Sequence, residues 1–268
     1  MNDWIVVFFI IPTIALLLGI ILSVAAHFFA VKKDERVVAI SSLLPNANCG
    51  ACGFPGCSGF AQAVVANGVS PLNCKSIDSQ AIEKIASILG SSISSSTIVK
   101  QVAYVFCKGN SDNAKEKYNY IGLSDCRAKY LFFKGNKGCS YGCLGGGSCV
   151  KRCPTNAIKI EKNIAVVNSK LCIGCGACSE VCPTHVIRLI PLEATLAVAC
   201  NSPQKGLFVK KYCTVGCIGC KICERNSNAK VVVHDFLAQV DYSNNPSFSY
   251  DEQTLLIEKC PAKSIVSL

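Results

Sequence analysis

The chain opens on an unbroken apolar run. From Trp4 to Ala26, 23 residues carry no formal charge, and Ile, Leu, Val and Phe dominate. A helix needs about 20 such residues to cross the hydrocarbon of a bilayer, so the run predicts one N-terminal transmembrane helix, with Pro12 a tolerable kink. Trp4 at one end and His27, Lys32 and Lys33 at the other are interfacial residue types. A cleaved signal peptide would begin basic and carry a shorter apolar core, whereas this run begins Met1-Asn2-Asp3. Asp3 precedes it, while Lys32, Lys33 and Arg36 follow it. The excess of basic residues therefore places the body of the chain on the cytoplasmic side of a single-pass anchor.

Beyond the run the periodicity changes. Residues 34–44 hold apolar positions near helical spacing and stop at Pro45, which predicts a short amphipathic helix. Ala81 to Leu89 predicts a second helix, stopped by Gly90 and followed by a serine-rich stretch from Ser91 to Ser96. Gln101 to Cys107 reads as a buried strand. Three segments share one frame: a Cys-Pro pair followed by a short β-prone run, at Cys153-Pro154, Cys182-Pro183 and Cys260-Pro261. That repetition predicts small, internally duplicated units.

Composition sharpens the picture at one point. Of 268 residues, 20 are cysteine, half are hydrophobic and only 16 % are charged. The chain is therefore no disordered tail, and it is longer than secreted disulfide scaffolds generally are. Clustered Cys-x2-Cys spacings on the reducing side of a membrane point instead to metal.

Cys172, Cys175, Cys178 and Cys182 form Cys-x2-Cys-x2-Cys-x3-Cys-Pro, the bacterial ferredoxin run for [4Fe–4S] clusters, in which the fourth cysteine serves the neighbouring cluster. Zinc sites use two separated pairs instead. Upstream, Cys139, Cys143, Cys149 and Cys153 read as a loosened version. Crossed ligation then predicts one cluster on Cys139, Cys143, Cys149 and Cys182, and another on Cys172, Cys175, Cys178 and Cys153. Cys49, Cys52, Cys57 and Cys74 suit a further cluster, with zinc as the alternative; Gly50, Gly53 and Gly56 favour the bulkier group. At the end of the chain, Cys217, Cys220 and Cys223 form a triplet whose fourth position is Ser227. Cys260 is its crossed partner and Cys213 a rival. One cluster is expected there, where an undamaged duplicate would hold two.

Four clusters use sixteen cysteines and leave Cys107, Cys126, Cys200 and Cys213. These read first as buried small hydrophobes, with a disulfide or a further metal site as alternatives. The formal charge of +10 is largely balanced by four cluster sites at about −2 each. Basic residues interleaved with aromatics, as a nucleic-acid groove would need, are absent. There is no Gly-x-Gly-x-x-Gly with a suitable acidic residue for NAD, and no catalytic residues stand out. His185 and His234 read as surface or packing residues.

The expected fold is α+β, in five parts. These are a transmembrane anchor at 1–31, a small mostly helical [4Fe–4S] domain at 32–90, and an α/β connecting segment at 91–135. A two-cluster bacterial-ferredoxin-like unit follows at 136–192, then a degenerate one-cluster unit at 193–268.

The order of motifs resembles the B subunit of the Rnf electron-transport complex. The likeness is carried by the anchor, Asn48-Cys49-Gly50-Ala51-Cys52-Gly53, the stretch from Gly138 to Cys149, Cys172 to Cys178, Gly122 to Cys126, and Cys200 to Gly206 with Gly216 to Cys220. The resemblance implies an electron-transfer subunit that relays electrons between ferredoxin and NAD, coupled to sodium or proton movement across the cytoplasmic membrane. It implies as partners the other membrane and peripheral subunits of the complex, a soluble ferredoxin or flavodoxin, and membrane lipid. The chain departs from longer family members at Ser227 and across 241–259. Competing readings are a ferredoxin-like subunit of a hydrogenase or other dehydrogenase, a corrinoid-dependent methyl-transfer protein, for which no barrel is available, and a structural zinc protein.

Overall fold

The computed structural model describes residues 3–29, 34–90, 99–243 and 248–268; the side chains of 3–8, 10 and 11 lie outside that description. Helix α1 (Asp3–Phe28) runs through Pro12, and its described side chains, among them Phe9, Leu16 and Leu22, are exposed. Among the described residues no helix is long and apolar enough to cross a membrane. The expected span includes positions 4–8, 10 and 11, so it lies partly outside the described side chains. The stretch from Ser91 to Ser96 lies wholly outside them.

Three helices form the first compact unit: α2 (Glu35–Leu43), α3 (Gly56–Asn67) and α4 (Ser79–Leu89), with a 3₁₀ turn at Pro71–Asn73. Asp34 caps α2 by accepting from the Arg36 amide. Asp78 caps α4, and Gly90 ends it in the left-handed conformation, at φ 66°. Ile40, Phe60, Val64, Ile82 and Ile85 interlock between the helices. Both helices expected here form where the apolar spacing put them.

The remainder is two copies of one plan. Strand β1 (Gln101–Val105) pairs antiparallel with β4 (Ile187–Pro191), and between them lies the hairpin β2 (Ile158–Glu161)–β3 (Ile164–Val167). Strand β5 (Leu196–Val198) pairs with β8 (Ile265–Ser267), enclosing the hairpin β6 (Val231–His234)–β7 (Leu237–Val240). Both hairpins turn on two residues of positive φ, Lys162 and Asn163 in one, Asp235 and Phe236 in the other. That geometry matches the twist of paired strands. The strand expected in the connecting segment is thus an edge of the same sheet as the strand after Cys182.

The connecting helices are short: α5 (Cys126–Leu131), α6 (Ser148–Arg152), α7 (Ala177–Glu180), α8 (Gly206–Tyr212) and α9 (Ile222–Asn226). The exception is α10 (Tyr250–Glu258), started by a capping box between Ser249 and Glu252. In the first copy the Cys172 triplet occupies the stretch between hairpin and Cys-Pro. In the second, α10 occupies it and buries Leu256. Each copy has its own core, Val102, Ile158, Val186 and Ile187 in one, Leu196, Val231, Leu237 and Ile265 in the other, and cysteines belong to both. Cores this small commonly need a metal staple.

Candidate metal centres

Cys49, Cys52, Cys57 and Cys74 line one cavity of about 410 Å³. The chain can wrap it because Gly50, Gly53 and Gly56 take φ values of 70°, 86° and 82°, where a side chain would be strained. The Asn48 side-chain oxygen accepts from the Cys57 amide at 2.8 Å.

Cys217, Cys220, Cys223 and Cys260 line a second cavity of about 410 Å³, closed by Val233, Ala238 and Leu256. The Ala238 amide donates to the Cys217 sulfur at 3.5 Å. Burial raises the Cys260 thiol, but the Ser264 hydroxyl and the amides of Ser264, Ile265 and Ala262 outweigh it and leave the group below its ordinary 9.0. Cys213, the rival ligand, lines a different cavity. Ser227 is buried, and its hydroxyl accepts from the Val231 amide at 3.0 Å. It ties the end of α9 to β6.

Cys172 and Cys153 come from separate copies of the Cys-Pro frame, yet both bear on Cys178. Burial first, then the charges of Cys175, Cys172 and Cys153, push its thiol to about 12. The Ala103 amide donates to the Cys172 sulfur at 3.4 Å and the Ala157 amide to the Cys153 sulfur at 3.3 Å. Around Cys149 burial again dominates, followed by Cys143, Cys126, Cys182 and Cys178, and its thiol reaches about 12. The Ala165 amide donates to the Cys143 sulfur at 3.3 Å.

Here the expected grouping needs correction. Cys139 was expected beside Cys143, Cys149 and Cys182; it lines a cavity with Cys107, Cys200 and Cys213 instead. Cys126 takes its place beside Cys149. The reason is legible in the spacing. Cys143-x2-Gly146-x2-Cys149-x3-Cys153-Pro154 keeps the ferredoxin frame with glycine in the second position. Helix α5 brings in Cys126 there: its amide donates to the Ser148 hydroxyl at 2.8 Å, which donates in turn to Asp125 at 2.8 Å. The missed signal was the glycine standing in the frame.

The groups are neighbours. Cys175 lines the first cavity with the Cys49 group, and Arg152 clasps the two together by donating to the Cys49 carbonyl at 3.1 Å. Among the described residues, no three His, Cys, Asp or Glu side chains close on a single-ion position. Amides aimed at sulfurs around an open cavity are the surroundings a thiolate-held cluster uses to set its potential.

Cysteines in fours, strung along an α+β duplicate, define an iron–sulfur electron-transfer protein. Residues 44–76 match the family described as "Putative Fe-S cluster" and residues 140–183 match the "4Fe-4S dicluster domain". The chain is 39 % identical over 225 residues, 83 % of its length and 84 % of the relative's, to the B subunit of the ion-translocating oxidoreductase complex of Methanosarcina acetivorans. It is 36 % identical over 271 residues, 100 % of its length and 94 % of the relative's, to the B subunit of the proton-translocating ferredoxin:NAD(+) oxidoreductase complex of Clostridium ljungdahlii. With the B subunit of the Na(+)-translocating ferredoxin:NAD(+) oxidoreductase complex of Acetobacterium woodii it shares 34 % over 258 residues, 96 % of its own chain and 75 % of the other. The chain belongs to this family, the B subunits of Rnf-type ion-translocating oxidoreductase complexes.

Proposed function

We propose that this chain relays electrons through a row of [4Fe–4S] clusters, between a soluble ferredoxin and the subunits of an Rnf-type complex that reduce or oxidise NAD and move Na+ or H+. The bound clusters supply one-electron chemistry at thiolate-held iron; the protein sets their spacing and surroundings. Four ligand sets follow: Cys49, Cys52, Cys57 and Cys74; Cys153, Cys172, Cys175 and Cys178; Cys126, Cys143, Cys149 and Cys182; and Cys217, Cys220, Cys223 and Cys260.

The observation that carries the reading is adjacency. The Cys49 charge bears on Cys175, and the Cys178 charge bears on Cys149, so three sets stand next to one another. Electron tunnelling falls off steeply with distance, and side-by-side sites are what a relay requires. The uncharged run from Trp4 to Ala26 supports a single-pass anchor, and Lys32, Lys33 and Arg36 support a body on the cytoplasmic side.

Anaerobic purification with the neighbouring subunits, iron and acid-labile sulfide analysis, and low-temperature paramagnetic spectra before and after adding reduced ferredoxin test the proposal. Several overlapping reduced-cluster signals are expected. Protein with zinc and no sulfide, or clusters that reduced ferredoxin leaves oxidised, overturns it. Removing residues 1–31 should release the body from membranes; continued sedimentation with them would remove the anchor from the account.

A further inference from the structure

The second half of the chain repeats the first more deeply than its Cys-Pro frames show. Cys107 stands two residues past the end of β1, and Cys200 two residues past the end of β5, the corresponding strand of the other copy. Cys139-Ser140-Tyr141-Gly142-Cys143 in one copy matches Cys213-Thr214-Val215-Gly216-Cys217 in the other. The four cysteines left over by the four sets, Cys107 and Cys139 in one copy and Cys200 and Cys213 in the other, are therefore two equivalent pairs.

The fold brings both pairs together at the seam between the copies. Cys107, Cys139, Cys200 and Cys213 line one cavity of about 490 Å³, no smaller than the two other four-cysteine cavities. The seam is zipped by backbone bonds between the copies: Lys108 donates to the Ala199 carbonyl at 3.1 Å and Lys115 to that of Tyr212 at 2.8 Å. Glycines keep the sulfurs close. A Cβ on Gly109 would stand 3.6 Å from both the Cys107 and the Cys213 sulfurs, so those two lie within twice that distance of each other. A Cβ on Gly142 would meet the Cys107 sulfur at 3.4 Å and the Cys139 sulfur at 3.8 Å.

We propose that Cys107, Cys139, Cys200 and Cys213, two from each copy, hold a fifth [4Fe–4S] cluster at the seam. The proposal rests on the relay reading above and completes it. All four thiols are free, with no disulfide among them. Burial raises the Cys107 and Cys200 thiols, and equivalent amides oppose it in the two copies: that of Cys143 bonds Cys107 and that of Cys217 bonds Cys200.

Lys137 supplies a second, independent observation. Its side chain is 1 % exposed, and its ammonium donates to the carbonyls of Gly109 at 2.9 Å and Asn163 at 2.8 Å. A buried ammonium held by carbonyls alone is costly unless negative charge is near. Lys137 borders the cavity, and its charge bears on both Cys107 and Cys143. Clusters on both sides of it would supply that charge. Five sites at about −2 each would also bring the formal +10 of the chain to neutrality.

Position gives the site its role. It touches the Cys143 set through Cys107 and the terminal set through Cys200 and Cys217. It fills the step between the first three sets and the terminal one.

The test is native mass spectrometry with iron and sulfide analysis on the anaerobically purified full-length chain. About 20 iron per chain is expected, and Cys107→Ser and Cys213→Ser should each lose about four. A wild-type count of about 16 overturns the fifth cluster and leaves the relay standing, as does zinc at that position. An iron count unchanged in both variants overturns it too. If a variant fails to fold, the wild-type mass alone decides between five clusters and four. Protein without iron or sulfide anywhere defeats the relay itself, a different result from either.

Discussion

The backbone nitrogen of Cys126 lies 2.6 Å from the point a Cβ on Gly146 would occupy. The glycine fills the second position of the ferredoxin run, and the cysteine that stands in for it arrives from α5 through the space its missing side chain leaves. Gly146→Ala should therefore displace Cys126 and the carbonyl carbon of Asp125, 2.7 Å away. A stability loss of roughly 1–3 kcal/mol and loss of the cluster on Cys126, Cys143, Cys149 and Cys182 are expected in denaturant melts and iron counts. An intact cluster would show that Cys126 is not a ligand.

Ser148 holds the same loop from the other side. Ser148→Ala removes the acceptor for the buried Cys126 amide and the hydroxyl that keeps the Asp125 carboxyl below its usual range. An unsatisfied buried donor costs about 1–3 kcal/mol. The variant should keep its iron when fresh but lose it faster to a chelator, with only one cluster's signal decaying early.

The degenerate end of the chain makes a sharp pair. Cys260→Ser should remove about four iron and leave the other clusters' spectra intact. Ser227→Cys restores the run's fourth cysteine and should add no iron, because the triplet it would partner is absent and α10 occupies that ground. Extra iron in Ser227→Cys would overturn this account of the second copy.

Lys137→Met removes a buried charge while keeping a similar volume. A nearby cation stabilises the reduced, more negative cluster, so its loss should lower the potentials of the clusters flanking it. Each 1.4 kcal/mol of lost attraction corresponds to about 60 mV for one electron. Redox titration followed by paramagnetic resonance measures the shift; unchanged potentials would leave the buried lysine unexplained.

Acidity separates the loaded chain from the empty one. Burial, then neighbouring thiol charge, raises the Cys149 and Cys178 thiols from 9.0 to about 12. In the cluster-free chain that contribution to stability is intact below pH 9 and lost as pH climbs toward 12. Iron needs thiolates, so in the loaded chain protons compete with the metal and the clusters fail as pH falls. Urea melts of the empty form and bleaching of the visible absorbance of the loaded form should run in opposite directions with pH.

Local chemistry made much of this readable in advance. Helices α2 and α4 follow from apolar spacing ended by Pro45 and Gly90, and the placing of Cys153 beside Cys172 and Cys178 is the one the spacing of the run predicts. Cys139 is the exception. Counting cysteines rather than positions makes it the first ligand of a loosened run, when Gly146 is the gap in an unloosened one.

What the sequence determined by itself was the kind of ligand and the repeated frame: thiolates at short spacings, since three sulfurs a few residues apart can grip only one object. Tertiary structure alone decided which distant thiols meet. Cys107 and Cys139, or Cys126 and Cys149, are separated by loops whose closure no local pattern encodes. Only the pairing of β1 with β4 and β5 with β8, and the seam between the two copies, carries those sulfurs to a common wall.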